Sequence, residues 1–389
     1  MAATVEDVIE GVKALGPEIR ARAGEAEAAR AFPRDLVDKL KAAGVFRALA
    51  PKSHGGLEAE FPPILEVVAE AARADGSAGW TVMIGAATPL LLAKMPRETF
   101  DRAYAEGPDV IQAGLAGAPV GRAERVEGGY RVTGRWPFSS GCQHADWIIG
   151  AAIVTEGGEP APGPAPGAPV VRVVALPAAE WTIEDTWHVA GLKGTGSHHT
   201  RLDDVFVPDA QAFDLFTGPP CLEGPLYGGL GAWTPLLHAA FAVGVARGAL
   251  DDLVAQAGGG RRQLFARTAM KDSPLFQYEL GELDADLAAA EALLARTAEA
   301  GWAAAVKGEL GPSAANDGFR AGVWITQACL KICSTAFNLG GGAALYDASP
   351  LQRRMRDLNA GAQHAVVQKQ NYQGVGAVRL GVAQTVIMR

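Results

Sequence analysis

Apolar positions along the chain fall into three successive regimes. Up to about residue 105 they recur every three to four residues, the spacing of amphipathic helices. Val5, Val8, Ile9, Val12, Leu15 and Ile19 form one such stripe, and Leu36, Val37 and Leu40 form another. Pro33 stands at the tolerated start of that second helix, and Gly44 suits its C-terminal cap. Pro62-Pro63 opens a further helix through Val67, Val68 and Ala71 that ends near Asp75-Gly76, and a longer apolar helix follows from Ser77. Near residue 110 the period changes. Tyr130, Val132, Trp136 and Phe138 alternate with polar or small residues, as half-buried strands do, while 147–154 and 170–176 are continuous apolar runs of buried-strand length. Stretches 182–187 and 202–207 complete a β region closed by Pro208, and the Pro/Gly-rich stretch 157–169 predicts a flexible surface loop between two strands. From about residue 226 long helical stripes return, over 235–257, 274–304, 319–339 and 351–378. Four such helices in succession predict an up-down bundle. The pattern therefore predicts an α+β protein with an N-terminal helical domain (1–108), a central β domain (109–225) and a C-terminal four-helix bundle (226–389).

Composition narrows the function classes. The 389 residues are 49% hydrophobic and 20% charged, which is globular, and the net charge of −8 offers no footprint for nucleic acid or an anionic membrane. Cys142, Cys221, Cys329 and Cys333 are too few and too scattered for a disulfide framework. Cys329 and Cys333 are four apart in an apolar helical stretch without a second ligand pair, and read as buried thiols rather than a zinc site. The N-terminus lacks a secretory apolar core and no apolar run is long enough to span a bilayer, so a soluble cytoplasmic protein is expected.

Four segments carry candidate chemistry. In 134–147 a strand bearing Trp136 and Phe138 breaks at Ser139-Ser140-Gly141 and resumes at Trp147. Two hydroxyls and exposed backbone amides beside aromatic walls suit a flat heteroaromatic ligand with polar edges; the same residues also make an ordinary strand-end turn. The glycine-rich run 190–199 matches neither a P-loop nor a dinucleotide fingerprint and reads as a structural turn. His198 and His199, adjacent on a strand, point to opposite faces and do not form a metal pair. Gly340, Gly341 and Gly342 close a helix, where exposed amides meet a phosphate or simply cap the helix. In 349–364, Arg353, Arg354, Arg356 and Asp357 read as a solvated face, and His364, followed by Ala365, Val366 and Val367, reads as either a core histidine or a proton-transfer group. The acidic pairs Glu184-Asp185, Asp203-Asp204 and Asp251-Asp252 read as exposed charge.

Taken in order, Pro51-x3-Gly55-Gly56-Leu57, Asp75-Gly-Ser-Ala-Gly-Trp80, Trp136-x-Phe-Ser-Ser-Gly141, His144-Ala-x-Trp147, Gly191-Leu-Lys-Gly-Thr-Gly-Ser197, Val205-Phe-Val-Pro208 and Arg356-Asp357 through Gln363-His364 resemble the acyl-CoA dehydrogenase superfamily. Within it they look like the flavin-dependent monooxygenase branch, the oxygenase components of two-component hydroxylases. The resemblance implies a homotetramer of three-part subunits. A dehydrogenase of this fold needs a carboxylate to remove the proton α to a thioester carbonyl. Neither place where the superfamily carries it, about 362–365 or near Thr234, holds an acid.

The monooxygenase branch instead implies reduced FMN or FAD, delivered by a separate NAD(P)H-flavin reductase and reacting with O2 to a C4a-hydroperoxide, with no metal. It implies that Ser140 hydrogen-bonds the flavin N5 region and that His364 orients the substrate or takes its proton. Phe138, Ser139 and Ser140 would flank the isoalloxazine, and Gly340, Gly341 and Gly342 of a neighbouring subunit would approach the flavin tail, with Arg267 at a phosphate. Trp80 and His144 would line the substrate pocket. Asn359 stands where the branch often has a second histidine, which leaves the substrate open among small aromatics and nitrogen or sulfur compounds. The alternatives are an acyl-CoA dehydrogenase or oxidase with a displaced base, and an inactive scaffold of the same fold.

Overall fold

Local sequence signals set most element boundaries in the computed structural model, which describes residues 4–164, 167–263 and 265–382. Helix α1 (Val5–Ala21) starts at a capping box, in which Thr4 Oγ1 accepts from the Asp7 amide and the Asp7 carboxylate from the Thr4 amide. Helices α2 (Ala23–Ala29), α3 (Arg34–Ala42), α4 (Phe61–Ala74), α5 (Gly76–Ala86), α6 (Thr88–Leu92) and α7 (Arg97–Ala103) follow. Asp75 breaks α4 from α5 and caps the latter, its Oδ1 accepting from the Ser77 and Ala78 amides. Ten of the eleven residues of α5 are buried, so Trp80 sits on a helix with almost no solvent face.

The strands are β1 (Gln112–Leu115), β2 (Gly121–Val126), β3 (Gly129–Trp136), β4 (Trp147–Glu156), β5 (Glu159–Pro160), β6 (Val171–Pro177), β7 (Thr182–Glu184), β8 (His199–Pro208) and β9 (Ala212–Phe213). They form one sheet in the order β7-β8-β3-β2-β4-β6-β9, with β1 and β5 also pairing with β4. β1 and β2 run parallel to β4, and the other pairings are antiparallel. Alternation divides β4 between two cores: Trp147, Ile149 and Ala151 join the helical core, and Ile148, Ala152 and Val154 a second core on the other face. Trp136 lies in that second core, fully buried, its Nε1 donating to Ala151 O at 2.7 Å. Gly121, Gly134 and Gly150 make its slot, since a Cβ on any of them would meet the indole at 2.1–2.7 Å. Trp136 is therefore not a wall beside the Ser-Ser-Gly turn, contrary to expectation. The stretch 157–169 is also more ordered than predicted. Residues 165 and 166 lie outside the described residues, but β5, the Gly163 amide on Ala168 O and the Val170 amide on Ala161 O lace the rest into an arm.

The C-terminal region comprises α8 (Leu230–Gly258), α9 (Pro274–Val306), α10 (Pro312–Gly340), α11 (Pro350–Gly361) and α12 (Tyr372–Arg379). Helix α8 packs against α4 on one side and α9, α10 and α11 on others. Gly244 permits the α4 approach, because a Cβ there would stand 2.1 Å from Ala69 O, a backbone atom. Gly244→Ala is expected to cost at least about 2 kcal/mol, read as a lower urea midpoint with unchanged m.

The single helix predicted over 351–378 is broken. α11 stops at Gly361, where any side chain would meet Phe241 Cε1 at 2.6 Å. Two 3₁₀ turns (Ala365–Val367 and Lys369–Asn371) then carry the chain to α12, while Val366 and Val367 bury against Phe319. The charge run is not a solvated face either. Arg354 is 3% exposed and supplies donors to Ala72 O, Arg73 O and Ala74 O, the unsatisfied carbonyls ending α4. It also pairs at 3.0 Å with Asp252, which is buried and bound to Arg20 as well, so the exposed reading of Asp252 fails.

Candidate active site

Four elements converge on one cluster: α5 brings Trp80, the β3–β4 turn Ser140 and α8 His238, all three buried, and the break after α11 brings the half-buried His364. The Trp80 ring meets His238, Phe241 and His364 edge-on, at centroid distances of 5.4, 5.1 and 5.8 Å. The two imidazoles lie 4.3 Å apart, tilted by 32°. Gly361 admits this crowding, since its Cβ would stand 3.1 Å from Trp80 as well.

Hydrogen bonds orient the polar atoms. Trp80 Nε1 donates to Ser140 Oγ at 3.0 Å. Ser140 Oγ lies 2.7 Å from Ser197 Oγ, which lies 2.6 Å from Thr195 Oγ1, which donates to Leu192 O at 2.8 Å. His238 Nδ1 donates to Thr234 O at 2.8 Å, leaving a bare Nε2 that no polar group reaches among the described residues. His364 Nδ1 accepts from the Val366 amide at 3.4 Å, which places its proton on Nε2. Burial pushes His238 down to about 4, and burial together with the neighbouring His238 ring holds His364 well below the usual imidazole range. Both rings are neutral at working pH, one offering an acceptor and the other a donor. His238 escaped the sequence reading because it looks like one polar residue in an apolar helix. The available signal was its spacing, one turn after Thr234, on the helix face where the superfamily's alternative base belongs.

The glycine-rich run is the expected structural turn, and it anchors the hydroxyls. Leu192 adopts φ +54°, and its amide donates to Asp357 Oδ1 at 2.7 Å. Gly191 lies so close to α11 that a Cβ would meet Arg356 O at 2.1 Å. Burial and the neighbouring Asp75 push the Asp357 carboxyl up to about 7, and its Oδ2 has no acceptor-side partner, as suits a protonated acid. Asp357→Asn, which keeps an oxygen for the Leu192 amide, is therefore expected to stay folded at pH 8. Asp357→Ala is expected to lose about 2 kcal/mol or more through the orphaned amide. Thermal melts of the two variants check this.

The other expected residues lie around this cluster with different attachments. The Ser139, Ser140, Gly141 and Cys142 amides donate to His198 O, Phe138 O, Thr195 O and Ser139 O, so the turn presents hydroxyls and not the exposed amides expected. Ser139 is buried, 2.8 Å from Thr200 Oγ1. Phe138 holds φ +64° and an exposed ring (62%), edge-on to Trp187. His144 donates through Nε2 to Phe32 O at 2.7 Å and touches none of the four cluster residues. Gly340, Gly341 and Gly342 lie at the far end of α10, where Gly340 O accepts from Gln256 and Gly342 has open space at its Cβ. Arg267 is exposed in the segment before α9. Asn359 donates to Met355 O on its own helix and supplies no second proton-transfer group here.

Two surface clefts, of about 250 Å³ between α4, α8 and α9 and about 350 Å³ beside Pro51 and Tyr227, border none of the four cluster residues. No carboxylate contacts Trp80, Ser140, His238 or His364 among the described residues, and the Thr234 hydroxyl donates to Leu230 O. The residues fit a reduced flavin. Ser140 Oγ, bonded to Trp80 and Ser197, has room for one further hydrogen bond, Gly141 leaves open space where a side chain would stand, and Phe138 offers an uncovered ring. No group of three His, Cys, Asp or Glu suited to a metal occurs among the described residues, and no helix there is long and apolar enough to cross a membrane.

Comparison with known proteins identifies the family. The acyl-CoA dehydrogenase N-terminal domain matches residues 11–103, and the acyl-CoA dehydrogenase C-terminal domain matches 236–369. The chain is 35% identical to an indole-3-acetate monooxygenase of Pseudomonas putida, covering 94% of this chain and 92% of the relative. It is 33% identical to the oxygenase component of an FADH2-dependent resorcinol hydroxylase of Rhizobium sp., covering 92% and 89%. The structure of XiaF from Streptomyces sp., in complex with FADH2 and glycerol, superposes with a TM-score of 0.89 at 28% identity, over 98% of this chain and 97% of that one. With relatives of this kind along nearly its whole length, the chain belongs to the acyl-CoA dehydrogenase family, in its branch of flavin-dependent monooxygenases that act as oxygenase components on small substrates.

Proposed function

We propose that Trp80, Ser140, His238 and His364 form the reaction centre, and that the substrate is a small aromatic ring bearing an O–H or N–H. The observation that carries this reading is the neutral imidazole pair with opposite tautomers and no acid beside it. When bound, reduced flavin supplies the electrons that activate O2 and deliver one oxygen atom to the substrate. The chain supplies the surroundings. Helices α5 and α8, buried on nearly all sides, keep water from the cluster. Ser140 and Phe138 hold the flavin ring. His364 Nε2–H orients the substrate by donation, and His238 Nε2 accepts a hydrogen bond from the substrate O–H or N–H, which makes the ring richer in electrons where an electrophilic oxygen attacks. Indole-3-acetate and resorcinol, for which relatives are named, both carry such a group.

We further propose that a separate NAD(P)H-flavin reductase supplies FMNH2 or FADH2, as the relative's description as an oxygenase component supports. We also propose a homotetramer in which Gly340, Gly341 and Gly342 approach a neighbouring subunit's flavin tail. Leu345 and Tyr346, 71% and 73% exposed beside those glycines, support that contact. The functional test supplies chemically reduced FMN or FAD in air with phenol, resorcinol or indole-3-acetate, and measures oxygenated product against hydrogen peroxide. Product from at least one ring bearing O–H or N–H is expected, with none from its O- or N-methylated counterpart. Peroxide alone from all of them, or tightly held oxidised FAD bleached by octanoyl-CoA, overturns the proposal.

A further inference from the structure

Donation from Thr195 to a carbonyl orders the protons of three hydroxyls beside the flavin-facing serine. Leu192 O can only accept; it takes the Trp187 indole proton at 2.9 Å, and the Thr195 hydroxyl stands at 2.8 Å with its proton turned to the same oxygen. Thr195 Oγ1 must then accept from Ser197, and Ser197 Oγ must accept from Ser140. The Trp80 indole can only donate, and it too points at Ser140 Oγ. The Ser140 proton is thus turned toward Ser197, and what remains of its oxygen toward any further partner is a lone pair. Ser140, Thr195, Ser197 and Thr195's acceptor Leu192 lie out of solvent, so water does not scramble this order.

We propose that Ser197 and Thr195 are positioning residues that hold the Ser140 hydroxyl as an acceptor, and so make this site select the reduced flavin. The inference rests on the flavin reading above. Reduced flavin carries a proton on N5 and needs an acceptor; oxidised flavin has a bare N5 and needs a donor. To serve the oxidised ring Ser140 must turn its proton away and leave Ser197 Oγ without a donor. Asp357 supports the order at a distance by fixing the Leu192 amide, and hence the carbonyl at which the chain ends.

The test is an anaerobic titration of the full-length protein with FMN and FAD, oxidised and dithionite-reduced, in wild type, Ser197→Ala and Ser197→Thr. Wild type is expected to favour the reduced form. Ser197→Ala frees the Ser140 proton, so its preference is expected to fall about tenfold, mostly through tighter binding of the oxidised form. Ser197→Thr, which keeps the hydroxyl, restores it. General damage to the site weakens both forms and does not tighten the oxidised one. If Ser197→Ala does not fold, Thr195→Val removes the next link and is expected to shift the preference in the same direction. An unchanged ratio in a folded variant, or equal weakening of both forms, overturns the inference. Failure of wild type to bind either form overturns the flavin reading itself.

Discussion

His364→Asn is expected to cut oxygenated product per reduced flavin consumed by at least tenfold, with hydrogen peroxide accounting for the rest. Reduced flavin should still bind within about twofold of wild type, because the Ser140 side of the site is untouched. His364 Nε2 carries the only donor that the imidazole pair offers a substrate, and losing a positioned proton-transfer or orienting group typically costs 10²–10⁴ in rate. Asparagine keeps a polar group of moderate size where Val366 N needs an acceptor, so the turn after α11 survives. Product and peroxide assays with an anaerobic reduced-flavin titration check both halves. Parallel loss of yield and flavin affinity would make His364 a structural residue.

The second large effect is on stability against pH. His238 sits at about 4 in the folded protein, below its ordinary 6.5. Its neutral form is favoured by folding, so the contribution is complete above about 6.5 and is lost as pH falls toward 4. The shift corresponds to about 3 kcal/mol. His364, also depressed by burial, acts in the same direction. Asp357 acts oppositely. Its carboxyl is raised to about 7, so its contribution is complete near pH 4 and is lost as pH rises through 7. The expected result is that His238→Gln flattens the acid side of the stability curve, measured by urea unfolding at pH 4.5 and 7.5 in an Asp357→Asn background. An unchanged slope would mean that the His238 ring is hydrated in the folded protein.

Much of the molecule was legible along the chain because the signals are local. The stripe from Val5 to Ile19, the Pro62-Pro63 start, and the hydropathic alternation around Tyr130 and Val132 each report on a few consecutive residues. Ser140 and His364 stood out as candidates because the motifs around them are contiguous. What was misread depends on distant partners. Arg354 and Asp252 look like surface charge until α4, α8 and α11 pack and turn their side chains onto each other and onto the end of α4. The break after Gly361 is invisible in the helical stripe, and the close approach of Phe241 that keeps this position a glycine comes from another helix. Trp136 continues an alternating strand pattern, yet glycines on neighbouring strands decide that it goes wholly inside.

By itself the sequence determined the order of helical and β segments, the absence of a carboxylate where thioester oxidation needs one, and the Ser-Ser-Gly turn. Periodicity and short-range turn chemistry are properties of neighbouring residues, and they survive without a fold. Only the tertiary structure decided which side chains lie together and in which protonation state. The proton order from Trp80 to Leu192, and the opposite tautomers of His238 and His364, depend on carbonyls and amides supplied by other elements. Burial then keeps both imidazoles neutral, and neither condition exists until α5, α8 and the turn beyond α11 have closed around them.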